Sequence, residues 1–148
     1  MKKERRARQF MYVQDLDHLK VKEDDLSDIL NKSGALEWVY INHDKDPKKD
    51  EDGKIIRPHI HAVLKYENPQ KVSTVANLFK DKSQYVDVWK GRIANAYSYL
   101  LHETEEAREQ GKHVYKASEA VASFDFPARM KSIRAKITKS PTINDWLN

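Results

Sequence analysis

Two histidines stand one residue apart in the stretch RPHIHAVLKY, residues 57–66. Successive side chains of a β-strand point to opposite faces, so His59 and His61 share one face while Ile60 and Ala62 point to the other. Neutral imidazole is the commonest metal ligand among protein side chains, and a pair on one face supplies half of a tetrahedral ligand set. The spacing alone leaves two interpretations open, a metal site or two ordinary surface histidines.

The segment RIANAYSYLLHE, residues 92–103, holds a second group capable of chemistry. At helical periodicity its apolar side chains gather into one stripe, which includes Tyr97. Tyr99 falls outside that stripe, so it is either simply exposed or free to reach a site. A phenol with a pKa near ~10 needs help to attack a substrate at neutral pH. A divalent metal that polarises a phosphate supplies such help.

Periodicity and turn residues place both segments in one fold. Strands are predicted at residues 8–14, 35–42, 58–66 and 84–89, and helices at residues 23–34, 69–80 and 92–103. The order βαββαβ predicts an α+β fold of the ferredoxin or RRM-like type, with an antiparallel sheet of about five strands and helices on one face. The other face is expected to be open and to carry the chemistry or a nucleic acid.

The composition limits the possible ligands and the compartment. A chain of 148 residues is long enough for one domain, which we place at residues 1–130, followed by a C-terminal helical tail at 131–148. Charged residues make up 34% of the chain, and we find neither a membrane-spanning run nor a secretion signal. There is no cysteine, so a metal would bind to histidine, carboxylate or water. We therefore expect a cytoplasmic protein that does not bind membranes.

The charge pattern is compatible with a nucleic-acid partner without requiring one. The formal net charge is +4, from 27 basic and 23 acidic residues. Basic side chains concentrate near the N-terminus and after residue 128, where they either contact phosphates or are solvated surface. The candidate phosphate contacts are Arg5, Arg6, Arg8, Arg129, Lys131 and Arg134. His102 is a further candidate: it orients the tyrosine, contacts DNA, or ends its helix where a cation is favoured.

Four motifs together carry a specific resemblance. The segments HDKD (43–46), PHIHAVLKY (58–66) and AYSYLLHE (96–103), with KHVYKASE leading to SFDF (112–126), occur in this order. In order and spacing they resemble the Rep initiators of small rolling-circle plasmids from Gram-positive bacteria. These belong to the HUH endonuclease superfamily, named for a histidine pair that flanks a bulky apolar residue. The resemblance covers roughly residues 8–126.

The resemblance implies a metal-dependent nuclease. Its metal ion would be Mn²⁺ or Mg²⁺, bound by His43, Asp46, His59 and His61, with Asp44 as the competing carboxylate. The implied nucleophile is Tyr99, which would attack a phosphodiester of single-stranded DNA at the plasmid origin. The reaction leaves a 5′-phosphotyrosyl link and a free 3′-hydroxyl that primes replication. Strand joining can follow, and flanking duplex DNA is a further implied partner.

One departure from the family and two rival functions remain. Family members normally continue into a C-terminal oligomerisation domain, so this chain is expected to be truncated or shortened, and its oligomeric state is open. A mobilisation relaxase or a single-strand transposase would use the same chemistry. A non-catalytic ferredoxin-like module would instead bind single strands by stacking bases on sheet aromatics such as Tyr12 or Trp38.

Overall fold

The fold is an antiparallel sheet with helices on both faces. The computed structural model describes residues 5–45, 49, 52–104 and 109–139, with side chains through residue 136. The strands of the described chain are β1 (Arg6–Asp15), β2 (Glu37–His43), β3 (His59–Lys71), β4 (Val86–Val88) and β5 (Val121–Ala122). The helices are α1 (Leu26–Asn31), α2 (Val72–Leu78), α3 (Ile93–Leu100) and α4 (Phe126–Lys139).

The strand order confirms the predicted α+β fold. The five strands form one sheet in the order β4-β1-β3-β2-β5, and every neighbouring pair is antiparallel. The first four strands, with α1 and α2 as their connections, form the βαββαβ unit that the sequence predicts. β5 adds an edge strand beside β2, which gives the expected five.

The register of the central strands determines which side chains meet. His61 of β3 lies opposite Val13 of β1 and Ile41 of β2, and His59 lies opposite His43. Directly opposite residues of an antiparallel pair have their side chains on the same face, about 5 Å apart at Cβ. The last residue of β2 is therefore beside the first residue of β3.

One face of the sheet packs against α1 and α2. Tyr12 and Trp38 lie in this core, with exposures of 0% and 3%, and the Tyr12 ring stacks on Phe79 with a centroid distance of 3.8 Å. Neither side chain presents its ring to solvent. The suggestion that these two aromatics stack on single-stranded nucleic acid is therefore wrong.

The second face is also covered, so the prediction of a sheet with helices on one face only is wrong. Val39 and Val63 from the sheet pack with Tyr97 of α3 and with Phe126 and Met130 of α4. The strand residues that alternate with the first core are mainly valine, isoleucine and methionine, and such a surface is unfavourable in water. The βαββαβ pattern does not predict this packing, because α3 and α4 both follow β4, the last element of the pattern. The predicted boundary between residues 130 and 131 falls within α4.

The junction between β3 and α2 also differs from the prediction. β3 continues to Lys71, and α2 begins at Val72, whereas the sequence predicted a helix with Pro69 in its first turn. The pairing of β1 with β3 shifts between Ala7 and Gln9, so Pro69 lies within an irregularity of the ladder. A proline lacks a backbone N–H and is tolerated at such a position.

Among the described helices, none combines the length and the apolar character of a transmembrane span.

Candidate metal centre and nucleophile

Three histidines converge on the second face of the sheet. His43 ends β2, while His59 and His61 lie at the start of β3. One ring nitrogen from each residue lies within 4.8 Å of the other two, a grouping that could hold a metal ion. His43 and His61 are buried, with exposures of 1% and 5%, whereas His59 is half-buried and lies at the solvent side.

Backbone carbonyls determine which nitrogens of this group carry lone pairs. His43 Nε2 lies 2.6 Å from the carbonyl oxygen of Leu100, and His59 Nδ1 lies 2.8 Å from that of Arg57. A carbonyl only accepts, so in each neutral ring this nitrogen donates and the other one bears a lone pair. The remaining nitrogens, His43 Nδ1 and His59 Nε2, lie 3.2 Å apart. Two facing lone pairs repel unless a proton or a metal ion lies between them.

The arrangement fits a divalent cation. Metal-binding histidines commonly donate their second ring N–H to a backbone carbonyl, as His43 and His59 do here. A separation of 3.2 Å is compatible with two metal–nitrogen bonds of about 2.1 Å each. His61 Nδ1 is buried with no hydrogen-bond partner among the described residues. Together with the facing lone pairs of His43 and His59, this unpartnered nitrogen is consistent with a group that could hold a metal ion.

Burial keeps two of these imidazoles neutral. Desolvation is the largest effect on His43, and it lowers the pKa of that side chain to about 3. Burial likewise holds the pKa of His61 well below its usual value, and the neighbouring histidines and Lys112 act in the same direction. Neutral imidazole is the form that binds metals, so the low pKa values leave the lone pairs available at neutral pH.

Tyr99 lies beside the histidine group. Its ring centroid is 5.9 Å from that of His61, and the half-buried Trp89 ring lies 6.0 Å away on another side. The Tyr99 side chain is half-buried, and no described residue makes a hydrogen bond to its hydroxyl. The Tyr99 ring therefore packs at the edge of the second core beside the candidate metal centre, and its hydroxyl has no hydrogen-bond partner among the described residues.

Tyr97 lies inside the second core, in contrast to the half-buried Tyr99. It is fully buried, and its hydroxyl donates a hydrogen bond to the carboxylate of Glu37. Burial, followed by this bond and the charge of Glu37, raises the pKa of Tyr97. A buried phenol beside a carboxylate is a poor nucleophile. This is the core position that the helical stripe predicted for Tyr97.

His102 lies at the turn that ends α3. Its backbone has φ +58°, and the N–H groups of His102 and Glu103 donate to the carbonyls of Tyr99 and Ser98. This is the Schellman pattern that commonly ends a helix. The side chain is 2% exposed, its Nδ1 lies 2.9 Å from the carbonyl of His113, and its ring lies 4.3 Å from that of His43. His102 thus packs against the histidine group and offers DNA almost no surface.

Of the two candidate carboxylate ligands, the structure describes only Asp44. Asp44 follows His43, but it is exposed and is not part of the described histidine group. Asp46 lies outside the described residues. Its assignment as a fourth ligand therefore stays a prediction.

The basic candidates fall into two classes. Arg129 donates two hydrogen bonds to Glu37, and Arg134 pairs with Glu103, so both are held in ion pairs. The second class consists of the remaining candidates, which, like Arg134, are exposed: Arg5, Arg6, Arg8 and Lys131. Arg6 and His61 lie at opposite ends of the β1–β3 ladder, because Arg6 precedes the partner of His61 by seven residues, or roughly 23 Å. The N-terminal arginines are thus remote from the histidine group.

Sequence reasoning missed Tyr115 and the carbonyl of Leu100. The Tyr115 ring stacks on that of His43, with a centroid distance of 4.7 Å, and the Leu100 carbonyl accepts from the same histidine. Tyr115 lies in the segment KHVYKASE, one of the motifs that carry the resemblance, but the resemblance implies no role for it. Backbone carbonyls leave no signal in a sequence.

Comparisons with known proteins relate the chain to plasmid replication proteins. Residues 2–127 match the family model described as plasmid replication protein, origin binding domain. A curated "Replication protein" from Onion yellows phytoplasma (strain OY-M) is 29% identical over 145 residues. That alignment covers 79% of the chain and 37% of the relative, so the chain spans little more than a third of that protein.

Proposed function

The chain belongs to the family of plasmid replication protein origin-binding domains, and we propose that it also nicks and rejoins DNA there to initiate rolling-circle replication. Family membership assigns it to binding DNA at a replication origin. One observation carries the step from binding to chemistry: Tyr99, whose hydroxyl has no hydrogen-bond partner among the described residues, lies beside three histidines that could hold a metal ion.

The proposed ligands are His43, His59 and His61, with Asp46 as the fourth. When bound, a divalent cation supplies positive charge that makes a phosphodiester a better electrophile. Imidazole suits later divalent metals, whereas Mg²⁺ prefers oxygen, so a site of three histidines and one carboxylate favours Mn²⁺ over Mg²⁺.

Tyr99 is the proposed nucleophile. Its phenolic oxygen forms a bond to phosphorus and the bond from phosphorus to the 3′ oxygen breaks. The phenol releases one proton and the departing 3′ oxygen takes one up, so a 5′-phosphotyrosyl link and a 3′-hydroxyl result. The number of phosphoester bonds is unchanged, which permits strand joining without ATP. α3 holds Tyr99 on a helix whose other face is anchored by Tyr97 and Leu100, so the hydroxyl is held in position.

The proposed substrate is a single strand beside duplex DNA. A flexible single strand can bring one phosphate to a half-buried phenol, whereas base pairing constrains the backbone of a duplex. The exposed Arg5, Arg6 and Arg8 lie at the far end of the sheet, where they would contact phosphates of the flanking duplex. We further propose that the full-length protein oligomerises and acts in the cytoplasm.

The test is the intact mass of the protein after reaction with DNA. The protein is mixed with Mn²⁺ and single-stranded oligonucleotides that tile the origin of the plasmid carrying its gene. We expect an adduct equal in mass to the 3′ part of one oligonucleotide. Tyr99→Phe should form none, EDTA should prevent it, and Tyr97→Phe is the matched control that should still form it.

The outcomes separate the alternatives. An undiminished adduct with Tyr99→Phe would show that Tyr99 is not the nucleophile. Tight origin binding with no adduct under any condition would leave an origin-binding domain without nuclease activity. A relaxase or a single-strand transposase would form the same adduct, but only with a strand from its own target and not with the origin.

A further inference from the structure

Tyr115 connects the two parts of the candidate site. It is 2% exposed, and its ring stacks on His43 with an angle of 25° between the ring planes. Its hydroxyl accepts a hydrogen bond of 2.8 Å from the backbone N–H of Lys45, and its own N–H donates to the carbonyl of Leu101 at 2.9 Å. Tyr115 therefore contacts the end of β2 with its side chain and the end of α3 with its backbone N–H.

These contacts restrain His43 relative to the helix that carries Tyr99. The carbonyl of Leu100 binds His43 Nε2, and the carbonyl of the next residue, Leu101, binds the backbone of Tyr115. The His43 ring is thus hydrogen bonded to α3 at one edge and stacked on Tyr115 at a face. Its Nδ1, the nitrogen with the free lone pair, can point only into the histidine group.

The hydroxyl of Tyr115 acts on a different part of the site. Its donor, the amide of Lys45, immediately precedes Asp46 in the chain, and Asp46 is the proposed fourth ligand. The Lys45 ammonium also pairs with Glu119, four residues beyond Tyr115. Tyr115 and Glu119 thus hold Lys45, just after β2, through its backbone N–H and through its side-chain ammonium.

We propose that Tyr115 is a positioning residue for the divalent cation, acting through the ring of His43 and the amide of Lys45. The inference rests on the proposed function, because it assumes that the histidine group binds a metal. A phenylalanine would fill the same volume and keep the stacking, so packing alone does not require the hydroxyl. The hydroxyl instead holds the backbone two residues after His43, through the amide of Lys45.

The test compares Tyr115→Phe with Tyr97→Phe, which also removes one hydrogen-bonded hydroxyl from a buried tyrosine. Mn²⁺ alone is titrated into each protein, and free Mn²⁺ is measured by electron paramagnetic resonance. Loss of a group that orients ligands typically weakens metal binding 10- to 100-fold, and we expect about tenfold for Tyr115→Phe because the ring contact remains. Tyr97→Phe should bind Mn²⁺ like the wild-type protein.

Nicking measured against Mn²⁺ concentration separates positioning from general damage. For Tyr115→Phe we expect a higher half-saturating Mn²⁺ concentration and a near-normal rate at saturation. Mn²⁺ affinity within about twofold of wild type, or a rate that excess Mn²⁺ does not restore, would overturn the assignment. A wild-type protein that binds no Mn²⁺ would instead refute the metal site itself. Metal binding is measured without DNA, so an absent nuclease activity would not affect this comparison.

Discussion

Replacing Arg129 with methionine should destabilise the fold without weakening contacts to DNA. The guanidinium donates two hydrogen bonds to Glu37, of 3.0 and 3.1 Å, and lies over the Phe124 ring at 4.6 Å. These contacts join α4 to β2, and the hydroxyl of Tyr97 brings α3 to the same carboxylate. Arg129 was one of the candidates for phosphate contacts, so its role can be tested directly.

The expected loss follows from the exposure of the pair. Hydrogen bonds to charged groups contribute about 1.5–3 kcal/mol when well shielded. Glu37 is 14% exposed, but Arg129 is 37% exposed, so solvent screens the pair considerably. We therefore expect Arg129→Met to lower the free energy of unfolding by about 1–2 kcal/mol at pH 7.

The loss should depend on pH. Burial alone would raise the pKa of Glu37, but the hydrogen bonds from Arg129 and Tyr97 outweigh it and leave the pKa below its usual value. A lowered carboxyl pKa stabilises the fold above the pKa of the unfolded chain, about 4.3 for glutamate. This stabilisation disappears as the pH falls through the pKa of the folded state. The difference between wild type and Arg129→Met should thus shrink as the pH falls below about 4.3.

The assay is urea unfolding at several pH values, combined with DNA binding at several salt concentrations. Removing one phosphate contact would reduce the slope of log K against log salt by about 0.7–0.9. We expect no change in that slope for Arg129→Met. The structural role would be refuted if Arg129→Met changed the free energy of unfolding by less than about 0.5 kcal/mol at pH 7, or if the difference from wild type persisted at low pH. A smaller slope of log K against log salt for Arg129→Met would also refute it.

Two further predictions concern the metal and a helix end. Mn²⁺ at about 100 times its Kd should stabilise the protein by about 2.7 kcal/mol in thermal unfolding. His59→Ala should abolish that stabilisation. His18 is exposed, so the control variant His18→Ala should retain it. If Mn²⁺ leaves the melting temperature of the wild-type protein unchanged, the metal site is refuted. Lys80 follows the end of α2 with φ +52°, a backbone conformation that glycine adopts without strain. Lys80→Gly should therefore raise the free energy of unfolding by about 0.5–1 kcal/mol. Gly34→Ala, at φ +81°, is the control expected to destabilise it, and a destabilised Lys80→Gly would refute the argument.

Part of the site follows from local periodicity. Alternation along a strand places His59 and His61 on one face, and they are there. Helical periodicity separates Tyr97 from Tyr99, and the structure buries the first and leaves the second at the histidine group. Both patterns depend only on neighbouring residues, so the sequence contains them in full.

Other features depended on contacts between distant parts of the chain. The βαββαβ pattern predicted the sheet, but the packing of α3 and α4 on its second face depends on where the chain returns after β4. His43 meets His59 because of the register between β2 and β3, and the carbonyl that orients it belongs to Leu100, 57 residues later. Arg129 is a candidate phosphate contact from the sequence, and only the structure shows that it donates hydrogen bonds to Glu37, 92 residues away.

The sequence by itself therefore determined which side chains could do chemistry and which face of its own strand or helix each one occupies. Tertiary structure alone decided which of them meet, which nitrogens keep their lone pairs, and which basic residues are held in ion pairs. The physical reason is that periodicity is a property of adjacent residues. Register, burial and hydrogen bonding to backbone carbonyls arise only when distant segments pack together.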